Sequence, residues 1–88
     1  MKTIKIDFDQ RTDDEAITYE GGAGEVAPGC KVSLRKDGVD VLARITELTT
    51  TNECVGEVTG YEGDETVENL AVGSTIRFQQ EHIFRCAA

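Results

Sequence analysis

The sequence predicts an all-β protein: a small antiparallel barrel of five to six strands, SH3-like in general architecture, with residues 1–88 forming a single domain. Three observations predict it. Asp37-Gly38 stands between two runs of alternating apolar and polar residues, the strongest short-range hairpin signal a sequence carries. Short runs of period-two alternation recur along the chain and are separated by glycine-bearing turns, so little helix is expected. A chain of 88 residues is also too short to divide its core between two domains.

Taken in order, "TIKIDF" puts Ile4, Ile6 and Phe8 on one face and Lys5 and Asp7 on the other, as a half-buried first strand does. "DQRTDDEA" is polar and acidic and is expected to be a loop. Ile17 to Glu20 is expected as a short strand released by Gly21, Gly22 and Gly24. The hairpin turning at Asp37-Gly38 has a defined register. Lys36 pairs with Val39, Arg35 with Asp40, Leu34 with Val41, Ser33 with Leu42, Val32 with Ala43 and Cys30 with Ile45. Leu34/Val41, Val32/Ala43 and Cys30/Ile45 then share an apolar face, while Arg35 and Asp40 meet with opposite charge on the other.

"ECVGEVTGYEG" follows as a strand in which Cys54 and Val58 lie on one parity and Val55 and Tyr61 on the other. Gly56 and Gly60 mark a bulge, a bend or a close backbone approach, and a bulge near Gly56 would bring both sets inward. "EGDETVEN" is expected as an acidic loop, and "LAVGSTIRF" as a strand with Ile76 and Phe78 inward and Thr75 and Arg77 outward. "QQEH" is expected to make a single turn, after which Ile83 and Phe84 return to the core as the closing strand. One internal echo stands out: "VAPGCKVSL" at 26–34 and "LAVGSTIRF" at 70–78 share the pattern aliphatic-Ala-x-Gly-x-x-aliphatic-x-apolar. Each reads as a glycine turn delivering the chain into a strand. The spacing of strands and turns resembles an SH3-like barrel, a likeness of architecture that implies no function.

Charge is unevenly spread over a net of −8. Residues 1–25 carry seven acids against three bases, 53–68 carry six acids and no base, and 26–48 carry three acids against four bases. This balance raises the electrostatic cost of approaching nucleic acid or an anionic membrane unless one face is locally basic. No apolar run approaches the ~18 residues that span a bilayer, and "MKTIKIDFDQ" lacks the apolar stretch of a secretion signal. Cys30, Cys54 and Cys86 cannot all pair within one chain, which fits reduced thiols and a cytoplasmic location.

The leading functional expectation is a non-catalytic acidic interaction module binding a protein partner, with a basic partner surface as the favoured kind, through Asp13, Asp14, Glu15, Glu62, Asp64, Glu65 and Glu68. One alternative is nucleic-acid binding by a basic hairpin face formed by Lys31, Arg35, Lys36 and Arg44, with few aromatic residues to stack on bases. A second is a metal or thiol site using His82 with Cys30, Cys54 or Cys86. On a strand rising ~3.3 Å per residue, His82 and Cys86 are too far apart to ligate one metal together. No catalytic residue, metal site or cofactor is assigned. An EF-hand loop starting at Asp7 fails, placing Arg11 at a ligand position, Thr12 where the turn needs glycine and Thr18 where the bidentate acid belongs. "GGAG" at 21–24 lacks the Lys-Ser/Thr ending of a phosphate loop. A homodimer is a further expectation, since an uncovered strand edge invites a second chain.

Overall fold

The computed structural model describes residues 3–5, 7–10, 16–22, 24–49, 53–68 and 70–87. Within them lie seven strands: β1 (Thr3–Lys5), β2 (Thr18–Glu20), β3 (Lys31–Lys36), β4 (Val39–Leu48), β5 (Glu53–Glu62), β6 (Thr75–Gln79) and β7 (Ile83–Ala87). A single 3₁₀ turn, Gln80–His82, is the one helical element among the described residues. All seven strands belong to one sheet, in the order β1-β6-β5-β4-β3-β7-β2. The all-β expectation holds.

The closed antiparallel barrel does not. The central pairings are antiparallel, but β1 runs parallel to β6 and β2 parallel to β7, which makes the sheet mixed. Closure would require β1 to pair with β2 at the two ends of the order, and they do not pair. The reason lies in the N-terminal third: its two three-residue strands are added outside β6 and β7 and occupy the edges that a barrel would join.

The hairpin is built as its register predicts. Val32↔Ala43, Leu34↔Val41, Arg35↔Asp40 and Lys36↔Val39 are partners across β3 and β4. Ile45 N–H extends the ladder by donating to Cys30 O at 2.9 Å. Asp37 and Gly38 both have positive φ, 50° and 83°, as a type I′ turn requires. Asp9 holds that turn from outside: its carboxylate accepts from the backbone N–H groups of Asp37 and Gly38, each at 3.3 Å, and its own N–H donates to Arg35 O at 2.7 Å.

One face of the curled sheet carries the core. Val32, Leu34, Val41, Ala43, Ile45, Cys54, Val58, Ile76, Phe78, Ile83 and Cys86 are buried on it, and Phe8, Cys30 and Leu70 join them from connecting segments. Burying each large aliphatic side chain contributes about 1.5–3 kcal/mol, so this inner face is the main source of cohesion. Leu34 and Val41 meet at its centre, both fully buried.

Two parts of the expected strand pattern are corrected. In β5 the parity change falls at Thr59, skipped between the pairs Leu42↔Gly60 and Ala43↔Val58. This extra residue turns Tyr61 toward the core cluster while Val55 stays outside it. A second irregularity does fall beside Gly56, on the partner strand, where Thr46 of β4 is skipped between Ile45↔Gly56 and Glu47↔Val55. Gly56 also marks a close approach, since a Cβ there would lie 2.8 Å from Arg44 O and 3.1 Å from Phe78 Cε1. In β7, Phe84 does not return to the core. The β3–β7 register steps from Ser33↔Arg85 to Leu34↔Ile83, leaving Phe84 as the extra residue. Its ring is half-buried beneath the Arg35 guanidinium, 4.4 Å from the ring centroid, and Cys86 takes the inward place.

The echo between 26–34 and 70–78 proves structural. Cys30 N–H donates to Ala27 O at 3.1 Å and Ser74 N–H to Ala71 O at 3.0 Å, closing two equivalent turns with Gly29 and Gly73 both at φ 93°. The first turn enters β3 and the second enters β6.

Candidate functional site

The residues expected to bind a partner are described only in part. Asp13, Asp14 and Glu15 lie outside the described residues. Glu62 ends β5 and is engaged: Arg85 Nη2 approaches its Oε2 at 2.6 Å, reaching over β4 and β3 from the far side of the sheet. Asp64, Glu65 and Glu68 stand exposed in the segment that follows and make no ion pair among the described residues.

That segment is folded back by Tyr61. The bulge at Thr59 turns the ring inward, and its hydroxyl donates toward the carbonyl oxygens of Leu70 and, at 3.4 Å, Val67. Leu70 is buried and Val67 packs against the core, whereas Val72, at the corner of the second glycine turn, is 65% exposed. Between them lies an open depression of about 650 Å³, walled by Tyr61, Val67, Leu70 and Val72 with Glu68 on its margin. The apolar hollow thus has one carboxylate, Glu68, in its lining, and Asp64 and Glu65 stand exposed in the same connecting segment. Sequence reasoning found the carboxylates but not the hollow, because the hollow needs Val67 and Leu70 brought back onto the Tyr61 hydroxyl, a contact that no local pattern encodes.

The four hairpin cations separate into two pairs. Arg35 is held by Asp40, with Nε 3.1 Å from Oδ1, and Lys36 by Asp37 at 3.7 Å. Lys31 and Arg44 are directly opposite each other on β3 and β4, both exposed, and neither makes an ion pair among the described residues.

His82 and the cysteines do not combine. His82 closes the 3₁₀ turn, its Nδ1 accepting from Gln79 N–H at 3.1 Å, with the Phe8 ring 6.1 Å from its own. Partial burial lowers its pKa below 6.5, opposed by the nearby charges of Glu81 and Asp7. The three thiols are free and point into the core. Cys30 and Cys86 both approach the carbonyl oxygen of Glu25, at 3.8 and 3.9 Å. Burial pushes the Cys86 thiol up to about 11, assisted by its hydrogen bond with Cys30, and burial with the Glu53 charge pushes Cys54 up to about 11. Such thiols are protonated at neutral pH, the opposite of an activated nucleophile. Among the described residues no three His, Cys, Asp or Glu side chains are grouped so as to hold a metal ion, and no helix is long and apolar enough to cross a membrane. Comparison with protein families, curated proteins and solved structures finds no match to this chain.

Proposed function

We propose that this chain is a non-catalytic binding module whose partner is a protein segment carrying an apolar side chain flanked by lysine or arginine. The observation that supports it is the hollow walled by Tyr61, Leu70 and Val72 with Glu68 in its lining, in a segment that also exposes Asp64 and Glu65; none of the three acids makes an ion pair among the described residues. Burial of the apolar anchor would supply affinity, and the carboxylates would steer and select the basic flanks. The buried, protonated thiols support a binding role over thiol catalysis, and three unpaired cysteines favour a reducing compartment such as the cytoplasm. In the middle of the sheet, the run β3 to β6, the single 3₁₀ turn and the return of β7 beside β3 favour an SH3-like winding. With Arg35 and Lys36 already paired, nucleic-acid binding would rest on Lys31 and Arg44, too few cations for a phosphate-tracking face.

The test is calorimetric titration with a short peptide in which one leucine is flanked by lysine and arginine, at low and high salt. The reading expects saturable binding that weakens as salt screens the carboxylates, and loss of most affinity in the triple variant Asp64→Asn, Glu65→Gln, Glu68→Gln. Equal binding of a glutamate-flanked peptide, or no binding of either, would overturn it.

A further inference from the structure

The outer face of the sheet carries a second and separate feature. Ser33 lies on that face, between Leu42 on β4 and Arg85 on β7, yet is only 6% exposed. Its hydroxyl has no hydrogen-bond partner among the described residues. A buried hydroxyl left unpaired is destabilising, and one in a native structure calls for a reason. Ser33 and Arg85 form the wall common to two depressions of about 220 and about 350 Å³. The smaller one is also lined by Leu42, Thr59 and Ala87, together with Lys31 and Glu20.

The charges around the smaller depression point to an anion. Lys31 faces Arg44 directly across the hairpin, two like charges whose juxtaposition is unfavourable. The acid opposite Arg44 on β5, Glu57, makes no ion pair with it. Arg85 gives one side of its guanidinium to Glu62, Nη2 to Oε2 at 2.6 Å, whereas Nη1 is 3.8 Å from Glu20. That second contact is loose and half-exposed, the kind of pair worth little. An incoming carboxylate could replace Glu20 at Nη1 and leave the Glu62 contact in place.

We propose that this groove binds a small carboxylate with a short aliphatic body. The carboxylate lies between Arg85 Nη1 and the Lys31 ammonium and accepts from the Ser33 hydroxyl, and the aliphatic part rests on Leu42 and Ala87. A space of about 220 Å³ restricts the body to a few carbons. This assignment is independent of the peptide-binding hollow, so failure of either leaves the other standing.

The test is titration of the isotopically labelled full chain with pentanoate, followed by backbone amide chemical shifts. Saturable shifts confined to Ser33, Leu42, Arg85 and Ala87 are expected, with a dissociation constant on the order of 1 mM. Pentanamide, the uncharged isostere, should bind at least about tenfold more weakly. Ser33→Ala should weaken pentanoate about three- to tenfold while the protein remains folded, because that hydroxyl has no hydrogen bond to lose among the described residues. Lys31→Gln should weaken it similarly without touching the core. A short peptide ending in a free leucine carboxylate tests whether a chain terminus is the true source: tight peptide binding with no pentanoate binding would overturn the small-molecule assignment. Equal shifts with pentanamide, no saturable shifts, or undiminished binding by Ser33→Ala would also overturn it.

Discussion

Gly29 and Gly73 occupy the same place in two copies of one turn. Both have φ 93°, and each N–H donates to the carbonyl of a buried residue on a neighbouring strand, Gly29 to Ile45 at 2.7 Å and Gly73 to Val58 at 2.8 Å. The reciprocal bonds also match, Ile45 N–H to Cys30 O and Val58 N–H to Ser74 O, both at 2.9 Å. Positive φ just before the turn's last residue is what a type II turn demands, with proline favoured one place earlier. Pro28 fills that earlier place in the first copy and Val72 in the second. Val72→Pro is therefore expected to stabilise the protein by about 0.4–1 kcal/mol through the unfolded chain, measured by urea denaturation. Gly73→Ala should destabilise it, by about 1–2 kcal/mol for an alanine forced to positive φ.

Gly56 calls for a substitution of the opposite kind. The methyl of Gly56→Ala would meet backbone Arg44 O at 2.8 Å, and backbone cannot swing aside as a side chain does. A loss of about 1–3 kcal/mol is expected from overpacking, seen as a lower denaturation midpoint. Gly60→Ala, with nothing within 4 Å of the added methyl, serves as the control and should change stability far less.

Alkali should unfold the protein through its thiols. Cys54 and Cys86 are raised from 9.0 to about 11, so their contribution to stability is complete below pH 9 and is lost as pH rises through 11, where the unfolded chain ionises first. Urea midpoints measured across that window should fall. The fall should be smaller in the double variant Cys54→Ala, Cys86→Ala, whatever its starting stability.

His82 carries the opposite sign. Its pKa is lowered by burial, so the stability tied to its neutral form is present above pH 6.5 and is lost as pH falls below it. Protonation of Nδ1 would also break the bond from Gln79 N–H. His82→Gln, whose side-chain oxygen can accept in its place, should flatten the midpoint between about pH 7 and pH 5.

The hairpin was legible because two independent patterns agree there: Asp37-Gly38 names the turn, and the pairs Leu34/Val41 and Arg35/Asp40 sort correctly to opposite faces only in one register. The same holds for Ile76 and Phe78, whose alternation is uninterrupted. Phe84 was not legible, since one extra residue in β7 reverses which parity faces inward, and the inward turn of Tyr61 was legible only as the consequence of a bulge, which falls at Thr59. The parallel edge strands were hidden for a different reason. β1 and β2 are three residues long and pair with strands more than 60 positions away, so nothing local encodes the partner or its direction. Of the candidate site, single-residue charge was visible in the sequence; the hollow beside it exists only once Tyr61 has folded the segment back.

The most direct test of the account is to follow backbone amide shifts while the lysine- and arginine-flanked leucine peptide is added to the full chain. The largest changes should fall on Tyr61, Val67, Glu68, Leu70 and Val72, and should shrink when Val72 is replaced by serine. Changes centred on the Lys31–Arg44 hairpin face instead, or on no connected surface, would contradict it.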